Sequence, residues 1–413
     1  ELGVAADLIA ALDKRGITSP FPVQTLTIPD ALAGRDVCGK AKTGSGKTLA
    51  FGLPMLQRTT TARKRRPHAL VLVPTRELAN QVATELGPLA AARKLWLCAI
   101  YGGASMVRQI RALHAGVDIV IATPGRLNDL LERNELSLAD VETVVVDEAD
   151  QMADMGFLPQ VRAILDRIEA PHQTLLFSAT LDETVSTLVR RYQVDPVRYE
   201  VPSDTTSVET VEQRFIGVER PDKLRVAARI CGSARRSLVF VRTKHGADRL
   251  AHQLTNQGVP AEAIHGGLNQ NRRERTLANF MSGRAPVLVA TNVAARGLHV
   301  DDIDIVLHFD LPEDGKTYLH RSGRTARAGA GGLVVTLVGS DEQQDARALQ
   351  REAGINLSTT AMRPDDARLD DLGSWQPPAA AAQPEQRQAD RRPQPSTRRP
   401  AAARHSRYFQ RSR

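Results

Sequence analysis

Short apolar runs alternate with longer stretches of helical periodicity along most of this 413-residue chain. The spans 69–73, 95–100, 119–122, 144–146 and 175–177 read as strands with no polar face. Such strands are covered on both sides. Between them, 78–90 and 157–168 carry apolar residues at helical spacing. Strand and helix in alternation build a parallel sheet with helices on both faces. The stretch 201–209 is rich in Ser, Thr and Asp, and after it the alternation restarts. Strands are expected at 237–241, 287–290, 303–308 and 333–338, with a helix over 246–257. The pattern therefore predicts an α/β chain of two domains, 1–203 and 204–355, joined by a linker near 201–210.

Composition narrows the class. Apolar residues make up 42% of the chain, enough for a large core. No run of about 18 apolar residues occurs, so no membrane-crossing helix is expected. Cys38, Cys98 and Cys231 are far apart, lie among apolar residues and lack a zinc-ligand spacing. They read as buried thiols in a reducing compartment, and the cytoplasm is the expected location. The net charge of +8 is concentrated at one end. Residues 376–413 hold nine arginines against Glu385 and Asp390, which leaves the rest of the chain near neutral. Pro, Ala, Gln and Arg dominate after Trp375, and the strand pattern stops near Leu357. Residues 356–413 are accordingly expected to be a disordered basic arm. Its arginines suit RNA phosphates without sequence preference, and Tyr408 and Phe409 suit stacking on bases.

Two strings carry chemistry. AKTGSGKT at 41–48 follows an expected strand at 36–39 and opens a helix at Leu49. Gly44 and Gly46 let the backbone curl so that successive N–H groups face one anion, at the positive end of a helix. Lys47 is placed to reach the β- and γ-phosphates of a nucleotide, and the Thr48 hydroxyl to ligate Mg²⁺. Ala41 stands where the usual pattern has its first glycine. The second string, VVVDEADQM at 144–152, packs Asp147, Glu148 and Asp150 behind three valines. Crowded carboxylates resist ionising together unless a cation is held among them. Asp147 is expected to hold Mg²⁺ through water, and Glu148 to orient and deprotonate the attacking water. Asp150 is expected to reach a neighbouring element.

DEAD at 147–150 beside AKTGSGKT resembles the DEAD-box ATP-dependent RNA helicases. Further strings of that family follow in its order: PTRELA at 74–79, GG at 102–103, TPGR at 123–126 and SAT at 178–180. LVFVRTK at 238–244, HGGLNQNRRER at 265–275, ATNVAARGL at 290–298 and HRSGRTARAG at 320–329 complete the set. The resemblance covers roughly residues 2–340. It implies two tandem RecA-like domains of the bacterial type, with ATP and Mg²⁺ in the cleft between them and RNA across both. It also implies an ATPase stimulated by RNA that separates short duplexes or remodels RNA–protein complexes as the cleft closes. Ribosomal or RNA-decay proteins are the expected partners, and no membrane. An ATP-dependent RNA clamp and a DNA helicase on the same scaffold are the competing readings.

The resemblance assigns roles residue by residue. Gln24 would read adenine, and Thr43, Gly44, Ser45, Gly46, Lys47 and Thr48 would hold the phosphates. Ile17 stands where relatives often carry an aromatic that stacks on the base, and a second aromatic of the family would fall upstream of Glu1; together these imply looser adenine selectivity. Asp150, Ser178, Thr180, His320 and Arg321 would couple nucleotide state to RNA. Arg324 and Arg327 resemble arginine fingers that reach the γ-phosphate on closure. RNA contacts would come from Thr75, Arg76, Gly103, Thr123, Gly125 and Arg126 in the first domain. Arg242, Thr243, Gln270, Arg273, Thr291 and Gly297 would supply them in the second. Such contacts to phosphate and sugar carry no base sequence. Asn292 and His299 replace acids found in many relatives, and a changed nucleotide affinity is expected from the second.

Overall fold

The computed structural model describes residues 2–41, 44–201, 211–295, 300, 303–325 and 332–375. Among them, fourteen strands form two seven-stranded sheets, every pairing parallel. The first comprises β1 (Val37–Lys40), β2 (Ala69–Leu72), β3 (Leu97–Ile100), β4 (Ile119–Ala122), β5 (Thr143–Asp147), β6 (Gln173–Ser178) and β7 (Val197–Glu200). Its order is β3-β4-β2-β5-β6-β1-β7. The second comprises β8 (Val211–Val218), β9 (Ser237–Val241), β10 (Ala261–Ile264), β11 (Val287–Thr291), β12 (Ile305–His308), β13 (Gly332–Gly339) and β14 (Thr359–Ala361). Its order, β10-β11-β9-β12-β13-β8-β14, repeats the first with every strand moved on by seven. One topology is used twice, as the tandem RecA-like reading requires.

The unbroken apolar runs have a direct physical origin. In β2, Ala69 and Val71 face a cluster containing Phe51 and Leu86, while Leu70 and Leu72 face one containing Leu127 and Met152. In β9, Val239 and Val241 face one layer and Leu238 and Phe240 the other. Both faces are covered, so no polar alternation survives. The strands that the apolar runs did not announce are β7, β8, β10 and β14. In β7 the residues alternate between half-buried and exposed, and β10 and β14 likewise lie at sheet edges. β8 begins with the polar stretch Val211, Glu212, Gln213, Arg214 before its apolar half.

The expected arm needs a correction at its start. Residues 356–375 are not featureless: β14 pairs in parallel with β8, Thr359 opposite Phe215. A 3₁₀ turn at Ala367–Asp370 follows. Met362, Leu369 and Leu372 are buried in the second core, and Trp375 lies between the guanidinium groups of Arg214 and Arg368, at 5.7 and 5.3 Å. These apolar residues are spaced singly among polar ones, which hides them from a search for runs. Residues 376–413, and the expected linker from 202 to 210, lie outside the described residues. No helix among the described residues is long and apolar enough to cross a membrane.

Leu369 tests this correction. Leu369→Ala should lower unfolding free energy by about 2–5 kcal/mol in a urea titration, as for a buried core leucine. A dispensable arm would give a change near zero.

Candidate active site and nucleic-acid interface

The phosphate-binding turn grows from β1, which lies between β6 and β7. Ala41 continues the strand by donating its N–H to the Ser178 carbonyl at 2.9 Å. Gly44 and Gly46 have φ of +85° and +88°, where a side chain is strained. At Gly46 there is a second constraint: a Cβ would lie 2.6 Å from the Gln24 amide. Gly46 is the N-cap of the helix Lys47–Arg58, so the first-turn N–H groups of that helix open into the turn. Ser45 is half-buried in the same turn, and Thr43 lies outside the described residues.

Lys47 is buried at the head of this helix. Its Nζ lies 2.8 Å from Glu148 Oε1, 3.2 Å from the Ala41 carbonyl and 3.9 Å from Asp147 Oδ1. Burial works against the ammonium charge, but the pull of Glu148, Asp147 and Asp150 outweighs it and holds Lys47 above the ordinary lysine value. Asp147 shows the converse. Burial pushes it up to about 7, Glu148 adds repulsion, and Lys47 opposes both. The three acids flagged by the sequence thus share one lysine.

Asp147 ends β5, and its carboxylate accepts the Glu148 N–H at 2.9 Å. Glu148 itself has φ of 54°, a left-handed conformation that a non-glycine residue adopts only where its surroundings hold it. It caps the helix Ala149–Asp154 and turns its carboxylate inward to Lys47. Asp150 does reach another element. Its N–H donates to Ser178 Oγ at 3.2 Å, and Thr180 Oγ1 donates to its Oδ2 at 3.3 Å.

Gln24 is 3% exposed in the helix Pro22–Leu32. Its Oε1 accepts the Phe21 N–H at 3.0 Å, and its Nε2 donates to the Gly46 carbonyl at 3.0 Å. Thr48 brings in a residue that no motif marked. Its hydroxyl hydrogen-bonds Glu85 on the helix Arg76–Ala92, a carboxyl raised by burial.

The expected RNA residues gather at the carboxyl ends of one half of each sheet. In the first domain these are the ends of β2, β3 and β4, adjacent strands. Thr75 caps the helix Arg76–Ala92 by accepting the Leu78 N–H at 3.2 Å. Gly103 has φ of +85°, and a Cβ there would meet the Arg76 guanidinium at 2.4 Å. Thr123 precedes the helix Pro124–Glu132, which contains Gly125 and Arg126. Arg126 donates to Gln109 Oε1 at 2.9 Å. In the second domain, β9, β10 and β11 are the adjacent set. Thr243 caps Lys244–Asn256, and Gln270 opens Gln270–Met281. The Arg242 side chain is exposed, and Thr291 ends β11. Gly297 is outside the described residues, as is His299. Backbone N–H groups at such ends suit phosphate oxygens.

Arg273, expected on RNA, makes a contact between the domains. It is 4% exposed, and its Nε donates to Glu77 Oε1 at 2.6 Å, across from the other domain. Glu77 lies inside PTRELA, so both partners sit in family-like strings whose pairing no spacing could reveal. A second cross-domain contact was equally hidden. Lys316 Nζ lies 2.8 Å from Asp154 and 3.8 Å from Asp182, and His320 Nδ1 lies 4.0 Å from Asp154. Arg321 is buried with its guanidinium 4.9 Å from the Phe240 ring centroid. Arg324 is half-buried just past the helix Gly315–Ser322, and Arg327 lies outside the described residues.

Comparisons with known proteins identify the family and the fold. The DEAD/DEAH box helicase profile matches residues 21–188, and the helicase conserved C-terminal domain profile matches 222–329. The chloroplastic DEAD-box ATP-dependent RNA helicase 3B of Zea mays is 42% identical over 380 residues, covering 86% of this chain and 49% of that protein. The DEAD-box ATP-dependent RNA helicase CshA of Bacillus cereus is 40% identical over 353 residues, covering 85% of this chain and 67% of its own length. The chain thus spans about half the length of the maize protein and two thirds of the Bacillus one. Among solved structures, S. cerevisiae Dbp5 bound to RNA and ADP BeF3 matches with a TM-score of 0.78 at 28% identity, covering 90% of this chain and 97% of Dbp5.

The titration of Asp147 gives a measurable sign. Its folded value of about 7 exceeds the ordinary 3.8, so the folded state binds this proton more tightly. That contribution to stability is complete below the unfolded value and is lost as pH rises towards the folded one. In nucleotide-free protein, unfolding free energy from urea titrations should therefore fall between about pH 4 and 7. Asp147→Asn should flatten that fall, and an equal slope in the variant would contradict the assignment.

Proposed function

This chain belongs to the DEAD-box ATP-dependent RNA helicases, and we propose that it hydrolyses ATP in step with binding RNA, separating short duplexes or remodelling RNA–protein complexes. The observation that carries the catalytic part is the buried Lys47–Glu148 contact at the head of the phosphate-binding helix. In this state the lysine neutralises the residue assigned as base. A triphosphate in the turn offers Lys47 a richer anion, so the ammonium moves from Glu148 to the β- and γ-phosphate oxygens. With Lys47 drawn to the phosphates, Glu148 becomes the stronger base and accepts a proton from the attacking water.

Asp147 and Thr48 are both hard oxygen donors, a set that fits Mg²⁺ with its retained waters once the Thr48 hydroxyl turns from Glu85. Bound there, Mg²⁺ would neutralise charge on the phosphate oxygens. Thr43, Gly44, Ser45 and Gly46 would cradle the phosphates with backbone N–H groups, and Gln24 would read the base. Arg324 and Arg327 come from the second domain and would supply transition-state charge once the cleft is shut.

Coupling follows from charge placed on both sides of the cleft. Glu77–Arg273 and Lys316–Asp154 each take one partner from each domain. RNA bound along the carboxyl ends of both sheets and ATP bound at the seam would favour the same closed arrangement, so each raises affinity for the other. Asp150, Ser178 and Thr180 would carry nucleotide state between the acids and the strand end. The same reading puts ribosomal or RNA-decay proteins among the partners and the work in a reducing cytoplasm, where three free cysteines persist.

Two variants check this scheme. Glu148→Gln should lower RNA-stimulated hydrolysis by roughly 10²-fold or more while ATP and RNA affinities stay within about twofold. Hydrolysis at the parent rate would favour an RNA clamp or a different base. Arg273→Ala should reduce stimulation by RNA about tenfold and leave ATP affinity without RNA unchanged, read by comparing ATPase rates with nucleotide titrations. Equal loss in both measurements would make Arg273 a folding residue only.

A further inference from the structure

We propose that Phe21 is the aromatic platform on which the nucleobase lies, in place of the stacking residue that position 17 lacks. The proposal rests on the adenine-nucleotide reading of the site and names the residue that grips its base.

Position 17 is unavailable for the task. Ile17 is half-buried and packs against the first core cluster, alongside Leu12 and Leu32. Phe21 has the opposite disposition. It is 54% exposed although it is a phenyl group with no polar atom to solvate. Its backbone lies between Pro20 and Pro22, with φ of −74° and ψ of 158°. Pro22 biases the Phe21 backbone towards this extended geometry, and the ring is braced against Gly46. Stacking on a pre-set ring costs little ordering entropy.

The ring is aimed at the nucleotide turn. A Cβ built on Gly46 would lie 2.9 Å from Phe21 Cδ2 and 3.2 Å from Cγ, so the phenyl leans on the glycine that starts the phosphate-binding helix. Trp96, at 74% exposure, is the other exposed large aromatic among the described residues. It sits before β3, the strand at the far edge of the sheet from β1 and β7. Phe21 is therefore the exposed phenyl at the nucleotide end.

Gln24 completes a base-reading corner with it. The Gln24 amide uses one lone pair on the Phe21 N–H and one hydrogen on the Gly46 carbonyl. An amide has two of each, so one acceptor site and one N–H remain. Adenine offers a matching edge, the N6 amino donor beside the N7 acceptor. The Gln24 amide and the Phe21 ring converge on one point, 2.6 and 2.9 Å from a Cβ built on Gly46, so a base whose edge meets Gln24 comes to the Phe21 ring. Stacking recognises the π face of any base, while the amide edge selects adenine.

The test is calorimetric titration of the full chain with Mg·ADP and, separately, with inorganic tripolyphosphate. Phe21→Leu keeps an apolar cover on Gly46 and removes the π face, and Phe21→Tyr keeps the face. The Leu variant should bind ADP roughly tenfold more weakly with tripolyphosphate affinity unchanged, and the Tyr variant should match the parent within about twofold. Unaltered ADP binding by Phe21→Leu would reduce Phe21 to a cover for the turn and overturn the proposal. Equal loss of ADP and tripolyphosphate, checked against a thermal melt, would overturn it too, by making the ring a support for Gly46. A parent chain that binds ADP no better than tripolyphosphate would instead sink the adenine-nucleotide reading itself, a result visible without any variant.

Discussion

One buried ammonium group organises the first domain. Lys47 lies among Asp147, Glu148 and the Ala41 carbonyl, with side chains 4–9% exposed around it. Removing several charges from water costs more than a single contact returns, unless each charge has a partner. Here three acids lie close to one lysine, and burial, aided by repulsion from Glu148, pushes Asp147 up to about 7 against the pull of Lys47. Among the described residues, Lys47 is the cation placed on Asp147 and Glu148, and the proposed Mg²⁺ and polyphosphate would add to or redistribute that charge. The left-handed Glu148 fits the same picture, since backbone strain at that position is tolerated where the side chain must point inward.

The duplicated topology turns this local imbalance into a two-domain device. Both sheets present the carboxyl ends of three adjacent strands on the same side of the repeated order. In the first, those ends carry Thr75, Gly103 and Thr123; in the second, they carry Arg242, Gln270 and Thr291. Ligands in open α/β sheets settle at such ends because helix N-termini and loops converge there. The cross-domain pairs sit apart from the phosphate turn and use side chains of opposite sign, Glu77 with Arg273 and Asp154 with Lys316. Lys316–Asp154 is partly exposed and of modest strength, whereas Glu77–Arg273 is buried, with its side chains 11% and 5% exposed.

Much of this was legible in the residues. The unbroken apolar runs of β2, β4 and β9 and the Gly-rich turn before Lys47 identified parallel sheets with a phosphate site, because burial on both faces and positive φ leave direct marks on composition. Edge strands left weaker marks. β7 reads Val, Arg, Tyr, Glu, and β14 is three residues long. The packed stretch ending at Trp375 was mistaken for the start of a solvated arm, since its buried Met362, Leu369 and Leu372 stand singly among polar neighbours.

Chain order alone settled the architecture, the phosphate turn and the acid strand, since each depends on periodicity or on residues within one turn of each other. Pairings between distant residues were settled by the folded chain. Arg273 met Glu77, Lys316 met Asp154, Thr48 found Glu85, and Ile17 packed against the core while Phe21 stayed out. The physical reason is range. Backbone preference and face burial act over a few neighbours, whereas which charge meets which, and which ring remains in water, is fixed only when elements far apart in sequence pack together.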